Sequence, residues 1–207
     1  MVPNSNIHLV PAQLEALRPT QMTVGYREVA AKREHWKALR KKARRKTIAS
    51  HWFPVVLGPQ GRQYVIDHHH LGLALFEEGV REVTAMVIKD LSWLDDITFW
   101  RMMEHGQWVH PFDTEGKRHD YDRLPKVLTG LENDPYRSLA GELRGAGGYA
   151  KDTTPFSEFL WADFLRQRIS PSRIEKNFAR ALDEAKALAH LPEARYLPGW
   201  SGVAAAG

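Results

Sequence analysis

The stretch "YVIDHHHLGLALFEEGV", Tyr64–Val80, decides the fold. An apolar, β-branched run ends at Asp67, three histidines follow, and an amphipathic run closes on Gly79. The pattern predicts a strand passing directly into a helix, with Asp67 as N-cap, Leu71, Ala74 and Leu75 facing inward, and Gly79 as the stop. Consecutive helical residues are turned about 100° from one another, so His68, His69 and His70 cannot converge on one metal by themselves. Two readings remain open. The first-turn N–H groups of such a helix lack partners and form an anion site, to which the histidines add donors or proton transfer near neutral pH. Alternatively, one ring packs in the core, one caps or bonds nearby, and one is solvated.

Working outward, "FPVVLGPQGRQYVI" (Phe53–Ile66) holds two β-branched runs around Gly-Pro-Gln-Gly and predicts a β-hairpin. "REVTAMVIKD" (Arg81–Asp90) alternates Val83, Ala85 and Val87, a third strand, making strand, helix and strand a crossover unit. Upstream, "LRPTQMTVG" (Leu17–Gly25) reads as an extended segment and a turn, and Tyr26 to Lys46 as one helix with Val29, Trp36, Leu39 and Ala43 on its apolar face. Downstream, "SWLDDITFWRMMEHGQ" predicts a helix capped by Ser92, and Glu132–Pro155 a long connection with one short helix. Thr154-Pro155 and Ser170-Pro171 each start a helix, the second with Ile174, Phe178, Leu182, Ala185 and Leu188 as its stripe. The tail from Leu197 is expected to be extended. The 207 residues are thus read as one α/β (α+β) unit: a small mixed-sheet core over roughly 1–90 and a mainly helical extension over 91–207 packed on it.

With no cysteine, disulfides, zinc-thiolate sites and thiol chemistry are excluded. No apolar run approaches the ~20 residues of a membrane helix, and the first ten residues carry no basic-then-apolar leader, so a cytoplasmic protein without membrane contact is expected. The net charge of +4 is unevenly spread. Lys32–Lys46 holds nine Lys/Arg and one acid, so the rest of the chain is net negative. Any polyanion would first touch this segment, at Lys41, Lys42, Arg44 and Arg45.

Glu158 shares a predicted helix face with Trp161, Ala162 and Leu165, and a carboxylate on an apolar face suits a general base, a metal ligand or an orienter of a histidine. A solvated Glu near a helix start is the plainer alternative. Asp163 points elsewhere. "GAGGYAKD" supplies flexible backbone, Tyr149 and Lys151, able to fold over an anion, but lacks a P-loop ending. His110, Asp113, His119, Asp120 and Asp122 are metal-ligand types in a spacing that fits a solvated loop better than a metal motif. Trp93, Trp100, Trp108 and Trp161 are expected as core anchors.

Asp67, His69 and His70 occupy the Asp and two His positions of a strand–Asp-Gly-His-His-Arg–helix signature, with His68 in place of Gly and Leu71 in place of Arg. With "LRPTQMTVG" before it and "GGYAKDTTPFSEFLWADFLR" after it, the chain resembles the ParB/sulfiredoxin-like superfamily, in the branch called ParB-like nucleases, over most of its length. The resemblance implies a small α/β fold whose strand-to-helix junction binds phosphate or nucleotide. Sulfiredoxin chemistry needs a cysteine, and the partitioning proteins' Gly-Glu-Arg-Arg motif and helix-turn-helix are missing. Loss of the motif Arg at Leu71 argues against a kinase, and Glu28 matches no motif that would assign it a kinase's catalytic role.

The expectation is therefore a phosphate- or nucleotide-binding enzyme, catalysing phosphodiester hydrolysis or phosphoryl transfer. Asp67, His68, His69, His70 and Lys151 contact the phosphate, and His69, His70 and Glu158 are catalytic. Magnesium is the cofactor such chemistry would use, although no motif requires it. The alternative is a non-catalytic nucleic-acid or nucleotide-sensing module that uses the basic helix.

Overall fold

The computed structural model describes residues 8–202. Seven strands run in chain order: β1 (His8–Gln13), β2 (Arg18–Pro19), β3 (Thr23–Val24), β4 (Phe53–Gly58), β5 (Arg62–Val65), β6 (Glu82–Asp90) and β7 (Glu132–Asn133). Five form a mixed sheet in the order β1-β6-β4-β5-β2, and β3 pairs with β7. β4 and β5 are the expected hairpin, antiparallel from Gly58↔Arg62 to Val55↔Val65. Its turn uses two positive-φ residues, Gln60 and Gly61. β6 runs parallel to β4 and antiparallel to β1. The strand–helix–strand unit therefore does not join neighbouring strands, because β4 lies between β5 and β6.

Successive strand residues point to opposite faces. Phe53, Val55 and Val65 pack with Val29, Trp36 and Leu73 on one side of the sheet. Val56 and Tyr64 pack with Phe99, Met103 and Val109 on the other. A third cluster, centred on Trp161, Leu139 and Leu143, is built from the later helices. Gly58 is needed for closeness: a Cβ there would lie 2.5 Å from the Tyr64 ring and 2.8 Å from Phe99.

The helices depart from expectation in informative ways. Residues 26–46 form two helices, α1 (Tyr26–Ala38) and α2 (Lys41–Ser50), broken at Leu39 and Arg40, which are extended. Arg44 folds back across the break, its Nε donating to the Trp36 carbonyl and its Nη2 to that of Lys37, each at 3.0 Å. It thereby adds side-chain donors to the last turn of α1, where the Trp36 carbonyl also accepts from the Leu39 N–H at 3.1 Å. α3 (His69–Glu77) follows β5. α4 (Asp96–His105) is capped by Asp95, not Ser92: Asp95 accepts from the Thr98 N–H at 2.8 Å, while the Ser92 hydroxyl donates to Asp90.

The largest departure lies in Glu132–Pro155. Its Gly and Pro residues read as loop punctuation, yet they flank or sit within α5 (Pro135–Gly145), an eleven-residue helix with Tyr136, Leu139, Ala140 and Leu143 buried. Pro135 is at the first helical position, where its missing N–H costs nothing, and Asp134 accepts from the Tyr136 N–H at 2.9 Å. α6 (Ser157–Arg166) starts after Phe156, whose φ is +58°, rather than at Thr154. The last expected helix is split at Asn177 into α7 (Pro171–Lys176) and α8 (Phe178–Ala189). Trp161 is fully buried, but Trp93 is 78% exposed and anchors no core. The last five residues of the tail, 203–207, lie outside the described residues.

Candidate functional site

A cleft of about 830 Å³ opens where four helices meet, lined by Glu28 and Lys32 of α1, His70 of α3, Arg137 and Arg144 of α5, and Glu158 of α6. Thr47 and His51 put the end of α2 at its rim, and Asp67, His68, Leu71 and Lys151 complete the wall. The junction between β5 and α3 thus contributes directly to the cleft.

The three histidines diverge because the chain turns sharply between them. His68 has φ +68° and ψ +20°, a left-handed backbone that favours glycine, and glycine is what the resembled signature carries there. His68 is the N-cap residue by position and makes no side-chain cap bond. Asp67, expected as the cap, is one residue too early; its carboxylate accepts from the adjacent His68 N–H at 2.6 Å. The His68 ring leans on Phe53, with centroids 5.8 Å apart.

His69 is buried and is not among the cleft-lining residues. Its Nε2 accepts the Thr20 N–H at 3.2 Å, and the Thr20 hydroxyl in turn donates to the Val65 carbonyl at 2.9 Å. Burial above all, reinforced by the neighbouring histidines, pushes the His69 ring down to about 3, so it is neutral at physiological pH.

His70 turns into the cleft, with Nε2 2.7 Å from Glu28 Oε2. The Gly25 N–H lies 3.0 Å from the same nitrogen. The two contacts require different tautomers: toward Gly25 the nitrogen accepts, toward Glu28 it donates. Burial lowers the His70 pKa, with Glu28 opposing. Burial works against ionisation of Glu28, but the His70 hydrogen bond and the charges of His70, Arg137 and Lys32 outweigh it and hold the carboxyl at about 2. At neutral pH the pair is a carboxylate beside a neutral imidazole. Room for that carboxylate comes from Gly141 on α5, where a Cβ would lie 2.9 Å from Glu28 Oε1.

Arg137 lies between two carboxylates. Its Nη2 bonds Glu158 Oε2, and its Nη1 is 3.6 Å from Glu28 Oε2. Glu158 is clamped twice, its other oxygen meeting Arg144 Nη1. Only 8% of the Arg137 side chain is exposed, and its Nε and Nη1 have no hydrogen-bond acceptor. A buried guanidinium with unmade hydrogen bonds is costly, and such groups call for an explanation.

Of the candidates read from sequence, His68, His70, Asp67, Lys151 and Glu158 meet around this cleft. Glu28, Arg137 and Arg144 were not singled out as site residues. Arg137, Gly141 and Arg144 recur at i, i+4 and i+7, and a charged residue beside the buried Tyr136 and Ala140 is the signal that singled out Glu158. The signal is masked because the Gly and Pro density reads as a long connection with one short helix of unplaced bounds, where the structure has an eleven-residue helix.

The remaining candidates lie elsewhere. His110 sits in an aromatic stack with Phe112, Phe156 and Phe159, its centroid 4.0 Å from that of Phe159, and burial pushes it down to about 3. Asp113 pairs with His119 at 2.6 Å, while Asp120 and Asp122 are exposed. Among the described residues no group of three or more His, Asp or Glu is arranged to hold a metal. In the cleft, Glu28 and Glu158 face Arg137, and a guanidinium between two carboxylates does not fit a protein-held magnesium ion. No helix among the described residues is long and apolar enough to cross a membrane.

The class of fold is mixed α/β, with a five-stranded mixed sheet whose β5 passes into α3 at the wall of the cleft. Residues 10–167 match the family described as "Putative ParB-like nuclease", and the chain belongs to that family. Among solved structures, the crystal structure of protein Atu1540 from Agrobacterium tumefaciens is similar, with 48% identity and a TM-score of 0.88 over 95% of this chain and 99% of that one. No curated protein matches.

Proposed function

We propose that the cleft binds the phosphate of a nucleotide or other phosphorylated ligand and supports phosphoryl-group chemistry there, by hydrolysis or transfer. The observation that carries this reading is Arg137, a buried cation with two unpartnered nitrogens, surrounded by Lys32, Arg144 and Lys151 on the cleft wall. Guanidinium forks suit phosphate oxygens, and the α3 N-terminus adds a favourable dipole beside them. In this reading His70 is the acid–base group and Glu28 fixes its Nε2–H tautomer, leaving Nδ1 as the basic nitrogen. His69 acts as a positioning residue that ties the start of α3 to Thr20. Asp67, exposed at the mouth, orients the His68 amide.

The test is a thermal-shift series with inorganic phosphate, nucleoside mono- and triphosphates and sugar phosphates, each with and without magnesium, followed by phosphate-release assays. A ligand that prefers the folded state raises the melting temperature. Lys151→Ala should weaken the shift, and His70→Asn should abolish turnover while ligand binding remains. Absence of any ligand-dependent shift in the wild type overturns the proposal.

A second reading is favoured by one feature. Lys41, Lys42 and Arg45 are exposed and have no ion-pair partner among the described residues, and their helix ends at the cleft rim. Contact with a nucleic-acid backbone through α2 would show as a log–log salt slope that becomes shallower by about one for each cation removed.

A further inference from the structure

The cleft already contains an anion at its cationic centre. Glu158 lies on the first turn of α6, and its side chain is 15% exposed. One oxygen meets Arg137 and the other Arg144, so a single carboxylate spans two guanidinium groups about two turns apart on α5. A phosphate bridging two arginines uses the same arrangement: two oxygens on one centre, each facing a separate guanidinium. Arg137 Nε and Nη1 are meanwhile shut off from solvent and have no acceptor. The Glu158 carboxylate leaves these donors unmade, Nη1 having only the Glu28 carboxylate 3.6 Å away, and a group with more oxygens offers them further acceptors.

Resting on the phosphate reading above, we infer that Glu158 is an internal stand-in for the ligand's phosphate, displaced from Arg137 and Arg144 when a phosphomonoester dianion binds. The exchange selects by charge. A monoanion, whether a phosphodiester or a carboxylate, replaces one negative charge by one and gains no Coulomb energy at the two arginines. A terminal phosphate carries close to two negative charges at neutral pH and three strong acceptor oxygens, so it outcompetes the carboxylate and reaches the unmade bonds of Arg137. Four permanent cations, Lys32, Arg137, Arg144 and Lys151, face three carboxylates, Glu28, Asp67 and Glu158, across the cleft. Moving Glu158 out leaves a clear cationic excess for the incoming dianion. The geometry gives Glu158 a gatekeeping part rather than that of a general base, because both its oxygens are already engaged.

Calorimetric titration of the full chain with inorganic phosphate, a nucleoside 5′-monophosphate and a dinucleoside phosphodiester distinguishes the outcomes. Glu158→Gln keeps the length and one acceptor but removes the charge, and should tighten phosphate and monophosphate binding by about tenfold or more, as expected for removing one close competing charge. It should also let the diester bind measurably. Glu158→Asp keeps the charge but is too short to span both arginines, and should tighten monophosphate binding as well. That variant decides the matter if the Gln variant does not fold. Arg144→Gln should weaken binding. Unchanged or weaker monophosphate binding in the folded Glu158 variants, with the wild type still binding, overturns the displacement alone. No phosphate binding in wild type or variants overturns the phosphate reading and this inference together.

Discussion

Glu28→Gln is the substitution whose consequences follow most directly from the geometry. The wild-type carboxyl is held at about 2 in the folded chain against an ordinary 4.5, by the His70 contact at 2.7 Å and the charges of Arg137 and Lys32, all acting against burial. A group whose folded pKa is depressed contributes stability that is complete above its unfolded pKa and is lost as pH falls through its folded one. At about 1.4 kcal/mol per pH unit, the interval between 4.5 and about 2 corresponds to about 3 kcal/mol at neutral pH. Glutamine keeps an oxygen for the His70 Nε2–H but never ionises, so the comparison isolates the charge. Urea unfolding of both proteins at pH 7, 4.5, 3 and 2 reads it out. With a urea m-value of about 2 kcal/mol/M, the variant's midpoint at pH 7 should fall by roughly 1.5 M, and the gap should close between pH 4.5 and 2. Equal midpoints at pH 7, or a gap that stays constant down to pH 2, would refute the assignment of Glu28 as the charged partner of Arg137 and His70.

Other perturbations test the packing around the cleft. Phe99→Ala removes a fully buried ring from the far side of the sheet, and the urea midpoint should report a loss of ~3–5 kcal/mol. Gly58→Ala drives a methyl group toward Tyr64 and Phe99 at 2.5 and 2.8 Å, costing ~1–3 kcal/mol by the same measurement. Arg44→Ala removes the side-chain donors to the Trp36 and Lys37 carbonyls and should cost ~1 kcal/mol, with a small loss of far-UV helical signal. Lys42→Ala, by contrast, removes an exposed cation with no ion-pair partner among the described residues, and should change stability by less than ~0.5 kcal/mol.

Legibility varied along the chain for physical reasons. The hairpin is readable because two β-branched runs, apolar on both faces of the sheet, flank a Gly-Pro-Gln-Gly turn, and β6 because buried Val83 and Ala85 alternate with less buried neighbours. The residues of the β5–α3 junction were readable as a group, but not the direction of each ring. Those directions depend on the left-handed backbone of His68, a conformation that a histidine gives no reason to expect. The break after Ala38 was hidden because the apolar spacing continues smoothly through Leu39 and Ala43, while the cap depends on Arg44 reaching back to Trp36 and Lys37. α5 was concealed by its glycines, of which Gly141 is there to admit Glu28 rather than to end a helix. Without the bounds and buried face of α5, the sequence does not connect Arg137 and Arg144 to Glu158. The family resemblance marked the junction, and tertiary contact supplied the cations.

The short parallel pairing of Thr23 with Glu132 joins two parts of the chain that lie far apart in sequence. Glu28 and His70, side by side in the cleft, both belong to the segment that ends with β6. The guanidinium groups that neutralise Glu28 and hold Glu158 come from beyond residue 135, and they reach the cleft only when β7 docks beside β3. Closing so long a loop costs entropy, which the β3–β7 pairing and the packing of α5 must offset for the cleft to be complete. A chain interrupted between β6 and α5 keeps Glu28 and the histidine signature yet lacks both guanidinium groups of the cleft.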